Sequence, residues 1–168
     1  MFEFHMIDAV VAWLRATWLS HQILQRIWVW PAAETIHFIG LALVIGIIGF
    51  LDLRLIGLFP RVPIAAVREL IPYGIAGFAL NLVTGVTFLI GHPEQYAHSI
   101  TWWLKVGFLV IAGLNTAVFE FAVAPSTVSL APGEPTPLAA KCVGYISLAA
   151  WFGVLYCGRM LPFIGDAF

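Results

Sequence analysis

From Leu70 to Ile90 the chain runs for 21 residues without a charged side chain. A helix of that length, rising about 1.5 Å per residue, crosses the ~30 Å hydrocarbon core of a bilayer. Three further stretches have the same character, over about 31–51, 102–124 and 142–158. Across the 168 residues, 61% are hydrophobic and 10% are charged. A soluble domain carries roughly 25% charge, so the surplus apolar surface must face lipid. The expected fold is all-α: a four-helix transmembrane bundle forming one integral membrane domain over 1–168.

The span limits follow from local chemistry. Pro31 suits the first turn of a helix, where its missing N–H costs nothing. Lys105 and Glu120 sit near opposite ends of the third span, and Lys141 and Arg159 bound the fourth, where long cationic side chains can snorkel outward. Small residues recur at four-residue spacing, Ala140 with Gly144 and Ala149 with Gly153. With Gly46 and Gly49 they are expected to let helices approach closely in lipid. The segment Ala124–Pro137, with Pro125, Pro132, Gly133, Pro135 and Pro137, reads as the one true loop. Ahead of the first span, residues 6–19 place Ile7, Val10, Val11, Leu14 and Trp18 opposite Asp8, Arg15 and Thr17. That is the pattern of an N-terminal interfacial amphipathic helix, although a helix packed on a soluble face has the same moment. The first basic residue is Arg15 and no small-x-small site closes the apolar run, so residues 1–30 are expected to stay in the mature protein.

Cys142 and Cys157 lie about 22 Å apart along one expected helix, too far to bridge. No Cys-x-x-Cys-His occurs, which excludes covalent c-type haem. A net charge of −1 with no basic stretch argues against a nucleic-acid partner. The first inter-span loop holds Arg54, Arg61 and Arg68, and the second has no Lys or Arg. The positive-inside rule then puts that first loop in the cytoplasm and both termini on the periplasmic side.

With four spans, both termini and the second loop share one side. That side collects His5, His21, His92 and His98, and His37 lies about 9 Å into its span. Trp13, Trp18, Trp28, Trp30, Trp102 and Trp103 cluster there as well. Glu34 and His37 are three apart on one helix face, and Lys105 comes from the same shallow zone. Ionisable groups at membrane depth face a bundle interior, a partner or a cavity. One reading is a haem b site, since axial histidine is a common haem ligand and helix bundles commonly hold the group. His37 would be one ligand, with His92, His98 or a neutral Lys105 as the other. Glu34 would orient the imidazole, Gly40 would admit the macrocycle, and electrons would come from a quinone or a periplasmic redox protein.

A second reading needs no cofactor. Glu34 pairs with Lys105, and the chain is an accessory or scaffold subunit among other membrane subunits or a homo-oligomer. A third is transition-metal binding or transport, of copper for example, through His37, His92 and His98 with Glu34, because imidazole suits several metals. At the other end Asp52, Arg54, Arg68 and Glu120 can form charge pairs. Asn81 and Asn115, near mid-span, are expected to bond each other.

The run Trp30-Pro31-Ala32-Ala33-Glu34-Thr35-Ile36-His37-Phe38-Ile39-Gly40, continuing to Leu51-Asp52-Leu53-Arg54-Leu55, resembles an uncharacterised bacterial family of small four-helix membrane proteins. Trp103-Leu104-Lys105 and Gly158-Arg159-Met160-Leu161-Pro162 share that resemblance, which implies a multi-pass protein of the bacterial inner membrane. More remotely, a first-span histidine followed about five turns later by Leu53-Arg54-Leu55 is similar to the HemJ-type membrane protoporphyrinogen oxidases. So is the helix start Trp102 to Lys105. CopD-type membrane proteins are similar in general layout. The HemJ-type resemblance implies haem b, with His37 as a ligand and Lys105 as a site residue. Leu53 stands before Arg54 where that pattern has proline, and the oxidase activity is not carried over.

Overall fold

The structure is a computed structural model that describes residues 2–164, with side chains from 6 to 163. The chain opens with two short helices, α1 (Phe2–Arg15) and α2 (Trp18–Gln25). The apolar pattern predicts a single helix over 6–19, but a break falls at Ala16–Thr17. The Thr17 hydroxyl donates to the Leu14 carbonyl at 2.6 Å and accepts from the Ser20 N–H at 3.3 Å. A side chain that closes one helix and caps the next competes with a continuous backbone ladder.

Then come α3 (Val29–Ile56), α4 (Ile64–Arg68), α5 (Ile71–Gly91), α6 (Pro93–Ala97) and α7 (Ile100–Val118). A π-helical turn, Phe119–Val123, joins α7 to α8 (Ala124–Thr127), and α9 (Leu138–Ile164) closes the described chain. Four helices, Val29–Ile56, Ile64–Gly91, Ile100–Thr127 and Leu138–Phe163, are long and apolar enough to cross a membrane. The chain is an all-α, four-helix, multi-pass membrane protein.

All four spans overrun their expected ends, the second by starting at Ile64 on α4 rather than at Leu70. The first continues through Asp52 and Arg54, which are buried rather than set at the water boundary. The fourth covers Leu138–Ile164 instead of 142–158. The third passes Ala124 to Thr127, so the expected loop starts later. Pro125 is the physical reason for its π turn: a helical proline lacks an N–H and crowds the carbonyl four residues back. The wider turn relieves that, and the Ala124 N–H reaches the Phe119 carbonyl instead.

In the bundle α3 packs along both α5 and α9, and α9 packs along α7, whereas α5 and α7 scarcely touch. One side of the four-helix set is therefore left open. The α3–α5 crossing is made by Gly40 and Gly77. A Cβ on Gly40 would fall 2.7 Å from the Gly77 carbonyl, and one on Gly77 would fall 2.8 Å from the Gly40 carbonyl. Gly144 lies against the Asp52 backbone of α3, and Gly153 against the Phe108 ring of α7. Those two contacts meet the expectation, but Gly46 and Gly49 face open space. Glycine spacing alone does not say which face of an all-apolar helix turns inward.

α1 and α2 fold over the end of the bundle that holds α6. Arg15 meets Glu94 at 2.9 Å and Asp8 meets His98 at 3.3 Å. Val11, Ser20 and Ile23 are buried while Trp13, Trp18 and Trp28 remain exposed. The pair thus keeps an outward apolar face, as a helix lying at a membrane boundary needs.

Candidate functional site at the α6 end of the bundle

His37 lies on α3 two turns in from the α6 end and is half-buried. Its Nδ1 is 2.7 Å from Oγ1 of Thr84 on α5. That hydroxyl has one proton, and it donates it to the Leu80 carbonyl of its own helix at 2.7 Å. Oγ1 must then accept from the imidazole, which assigns the proton of neutral His37 to Nδ1 and leaves the Nε2 lone pair free. The Phe88 ring closes one side of the imidazole, with centroids 5.4 Å apart. Trp30 follows Phe88 at 5.0 Å and His92 follows Trp30 at 4.9 Å, so an aromatic stack leads from His37 to the surface. Gly91 makes room for it: an added Cβ would sit 3.1 Å from the Trp30 ring and 3.2 Å from Ile23.

The other expected site residues separate. Lys105, half-buried on α7, lays its stem against α9; Nζ and Cε lie 3.6 and 3.8 Å from where a Gly158 Cβ would stand. Its ammonium is near enough to His37 and to the buried Cys157 to act on both electrostatically. α3 and α7 scarcely pack on each other. His92 is exposed at the end of α5, and His98 is exposed and tied to Asp8. His21 is exposed on α2, and His5 falls outside the described side chains. Among the described residues no three His, Cys, Asp or Glu side chains come together to hold a metal ion.

Glu34 takes a different part from the one expected. It is exposed and accepts the Trp30 indole N–H at 3.0 Å, one turn back along α3. Among the described residues it forms no ion pair with Lys105, and Thr84, not Glu34, orients His37. Position 34 lies to the side of the His37 face that meets α5, within reach of the indole and of the α6 loop. There, burial and the Glu34 carboxylate together push the Tyr96 phenol up to about 12.

No family model, no curated protein and no solved structure matches this chain.

As a ligand, one imidazole with a free Nε2 fits a porphyrin iron better than a bare metal ion, which needs several convergent donors. Gly40 cannot admit a macrocycle, because the α5 backbone already fills that space. Gly85 of α5, like Gly46 and Gly49 of α3, has nothing within 4 Å of an added Cβ.

At the opposite end the expected charge cluster forms only in part. Arg68 pairs with Glu120 at 2.8 Å, beside an open depression of about 300 Å³. Arg54 is fully buried and ties α3 to both connections, donating to the Val62 carbonyl at 2.6 Å and to Thr136 Oγ1 at 3.0 Å. Asp52 neighbours Ser147 instead of either arginine. Asn115 donates to the Val143 carbonyl of α9 at 3.1 Å and Asn81 to Gly77 of its own helix at 3.1 Å, so the expected Asn81–Asn115 bond is not made. The α3–α5 and α7–α9 pairings keep the two amides apart.

Sequence reasoning missed Thr84 and Cys157. A signal for Thr84 was present: it follows Gly77 and Asn81 at helical spacing, a polar and small face in an otherwise apolar run. Cys157 had none, because only tertiary packing puts it beside Lys105.

Proposed function

We propose that this chain is a membrane-embedded b-type haem protein in which Nε2 of His37 is an axial ligand. The observation that carries the reading is the Thr84 bond to His37 Nδ1. Histidines that ligate through one ring nitrogen are held by a hydrogen bond at the other, which sets both tautomer and ring direction. A haem there would supply one-electron redox chemistry. The chain's own contribution is an oriented imidazole, aromatic walls from Phe88 and Trp30, and apolar helix faces that exclude water. His92 and His98 are engaged at the exposed end, which leaves His37 as the one histidine ligand. The site belongs near the periplasmic face of a bacterial inner membrane, with both termini periplasmic. Its electrons come from a quinone or a periplasmic redox protein.

Absorbance of detergent-purified protein tests this. The wild type is expected to show a Soret band that His37→Ala abolishes, with His92→Ala and His98→Ala leaving it in place. Colourless protein from haem-replete cells that takes up no added hemin would refute the proposal. One observation favours a second reading, a cofactor-free accessory subunit: the open side between α5 and α7 offers a seat for a partner helix. That reading expects colourless protein that co-purifies with defined membrane subunits.

A further inference from the structure

Asp52 is 3% exposed and forms no ion pair among the described residues. Its Oδ2 is buried and has no hydrogen-bond partner among them. Arg54 does not neutralise it. Side chains two apart on a helix do not face each other, and that guanidinium is turned to Val62 and Thr136. Packing sets where the carboxyl goes. Gly144 brings α9 onto α3 at this point, where an added Cβ would fall 2.9 Å from the Asp52 backbone carbonyl. The first and fourth spans run in opposite directions, and a side chain leans toward the N-terminus of its own helix. The Asp52 carboxyl therefore leans to the level of Ser147, a buried hydroxyl one turn beyond Gly144 and its neighbour there.

The other titratable groups on the elements around this contact lie elsewhere. Arg68 of α4 pairs with Glu120 of the π turn. Lys141 of α9 forms no ion pair among the described residues. Glu69, Tyr73, Cys142 and Tyr145 are exposed. A carboxylate at position 52 would thus be a buried charge without a counter-ion and with one oxygen lacking a donor, a costly state. The neutral acid removes the charge and puts its proton on that oxygen.

We propose that Asp52 is a proton-binding site, held as the neutral acid between α3 and α9 and exchanging with the α4 end of the bundle. Ile56, the last residue of α3, is one turn away, about 6 Å along the axis, so the path to that end is short. A hard metal cation does not fit, because one free carboxyl oxygen and one hydroxyl fall short of the oxygens it needs. His37 lies about 22 Å away along α3, so the site stands whether or not haem is bound there.

Infrared difference spectra between the purified full-length protein and Asp52→Asn at neutral pH test this. The wild type is expected to show a protonated-carboxyl C=O band that deuterium exchange shifts and Asp52→Asn lacks. Loss of carboxylate bands instead would overturn the proposal. A second measurement needs no variant. Dicyclohexylcarbodiimide, an apolar reagent, consumes the acid form of a carboxyl. The acid proton passes to a carbodiimide nitrogen, the carboxyl oxygen bonds the central carbon, and an oxygen-to-nitrogen acyl shift retains the whole reagent as an N-acylurea. Peptide mass mapping is expected to find this adduct on Asp52, forming about tenfold more slowly for each pH unit above the site's own titration. Labelling of Asp52 that does not slow with rising pH would overturn the proposal, as would labelling confined to other carboxyls. Protection of Asp52 by sodium ions at fixed pH would make it a metal-cation site, and the proposal would fail.

Discussion

At the scale of single residues, a threonine hydroxyl decides which nitrogen of His37 is available. Thr84 is 4% exposed and its proton is committed to Leu80, so it can only accept from the imidazole. Thr84→Val keeps the shape and removes the acceptor. The ring then loses its fixed tautomer, and hemin affinity is expected to fall about 10–100-fold, the usual effect of deleting such an outer partner. Thr84→Ser restores the acceptor and should bind within a few-fold of wild type. Hemin titration followed at the Soret maximum measures both. Equal affinities for Val and wild type would mean that the Thr84 bond is only a packing contact. The exposed pairs Arg15–Glu94 and Asp8–His98 belong to a different class. Exposed ion pairs are worth roughly 0–1 kcal/mol, and these locate α1 over α6 more than they hold it there.

At the scale of helices, lipid offers no hydrophobic drive for one helix to seek another, so close backbone approach and interhelical bonds decide the pairing. The Gly40–Gly77 crossing is such an approach, and neither neighbour can yield, because each glycine abuts backbone. Gly40→Ala and Gly77→Ala are each expected to destabilise by about 1–3 kcal/mol, the range for overpacked contacts. Gly46→Ala and Gly49→Ala, which meet nothing, should be neutral or slightly stabilising through helix propensity. Thermal or denaturant unfolding in detergent separates the two sets. If all four behave alike, α3 does not cross α5 at Gly40. The π turn at Phe119–Val123 follows the same logic at the other end: Pro125 forces the extra residue, and Glu120 within the turn pairs with Arg68.

At the scale of the whole molecule, Arg54, Arg61 and Arg68 mark one end, and the positive-inside rule gives the proposed orientation. Phosphatase and fluorescent-protein fusions after Ala65 and at Phe168 measure it. Phosphatase activity is expected only at the C-terminus, and activity at 65 alone would reverse the topology. The number and approximate place of the spans, and their all-helical class, were legible in the chain because about 20 uncharged apolar residues have few other ways to hide from water. The gathering of His37, His92, His98, Glu34 and Lys105 at one end was legible too, since it follows from an even number of crossings. What only tertiary structure decided is which way each side chain turns. α3 is apolar on every side, so periodicity cannot tell Gly40 from Gly46, or reveal that Glu34 faces an indole while His37 faces Thr84. Asp52 and Arg54 read as a water boundary until packing buries them, and the α3–α5 and α7–α9 pairings keep Asn81 from Asn115. Sequence hydropathy sets depth in the bilayer; rotation about each helix axis depends on which neighbour packs there, and that is a property of the assembled bundle.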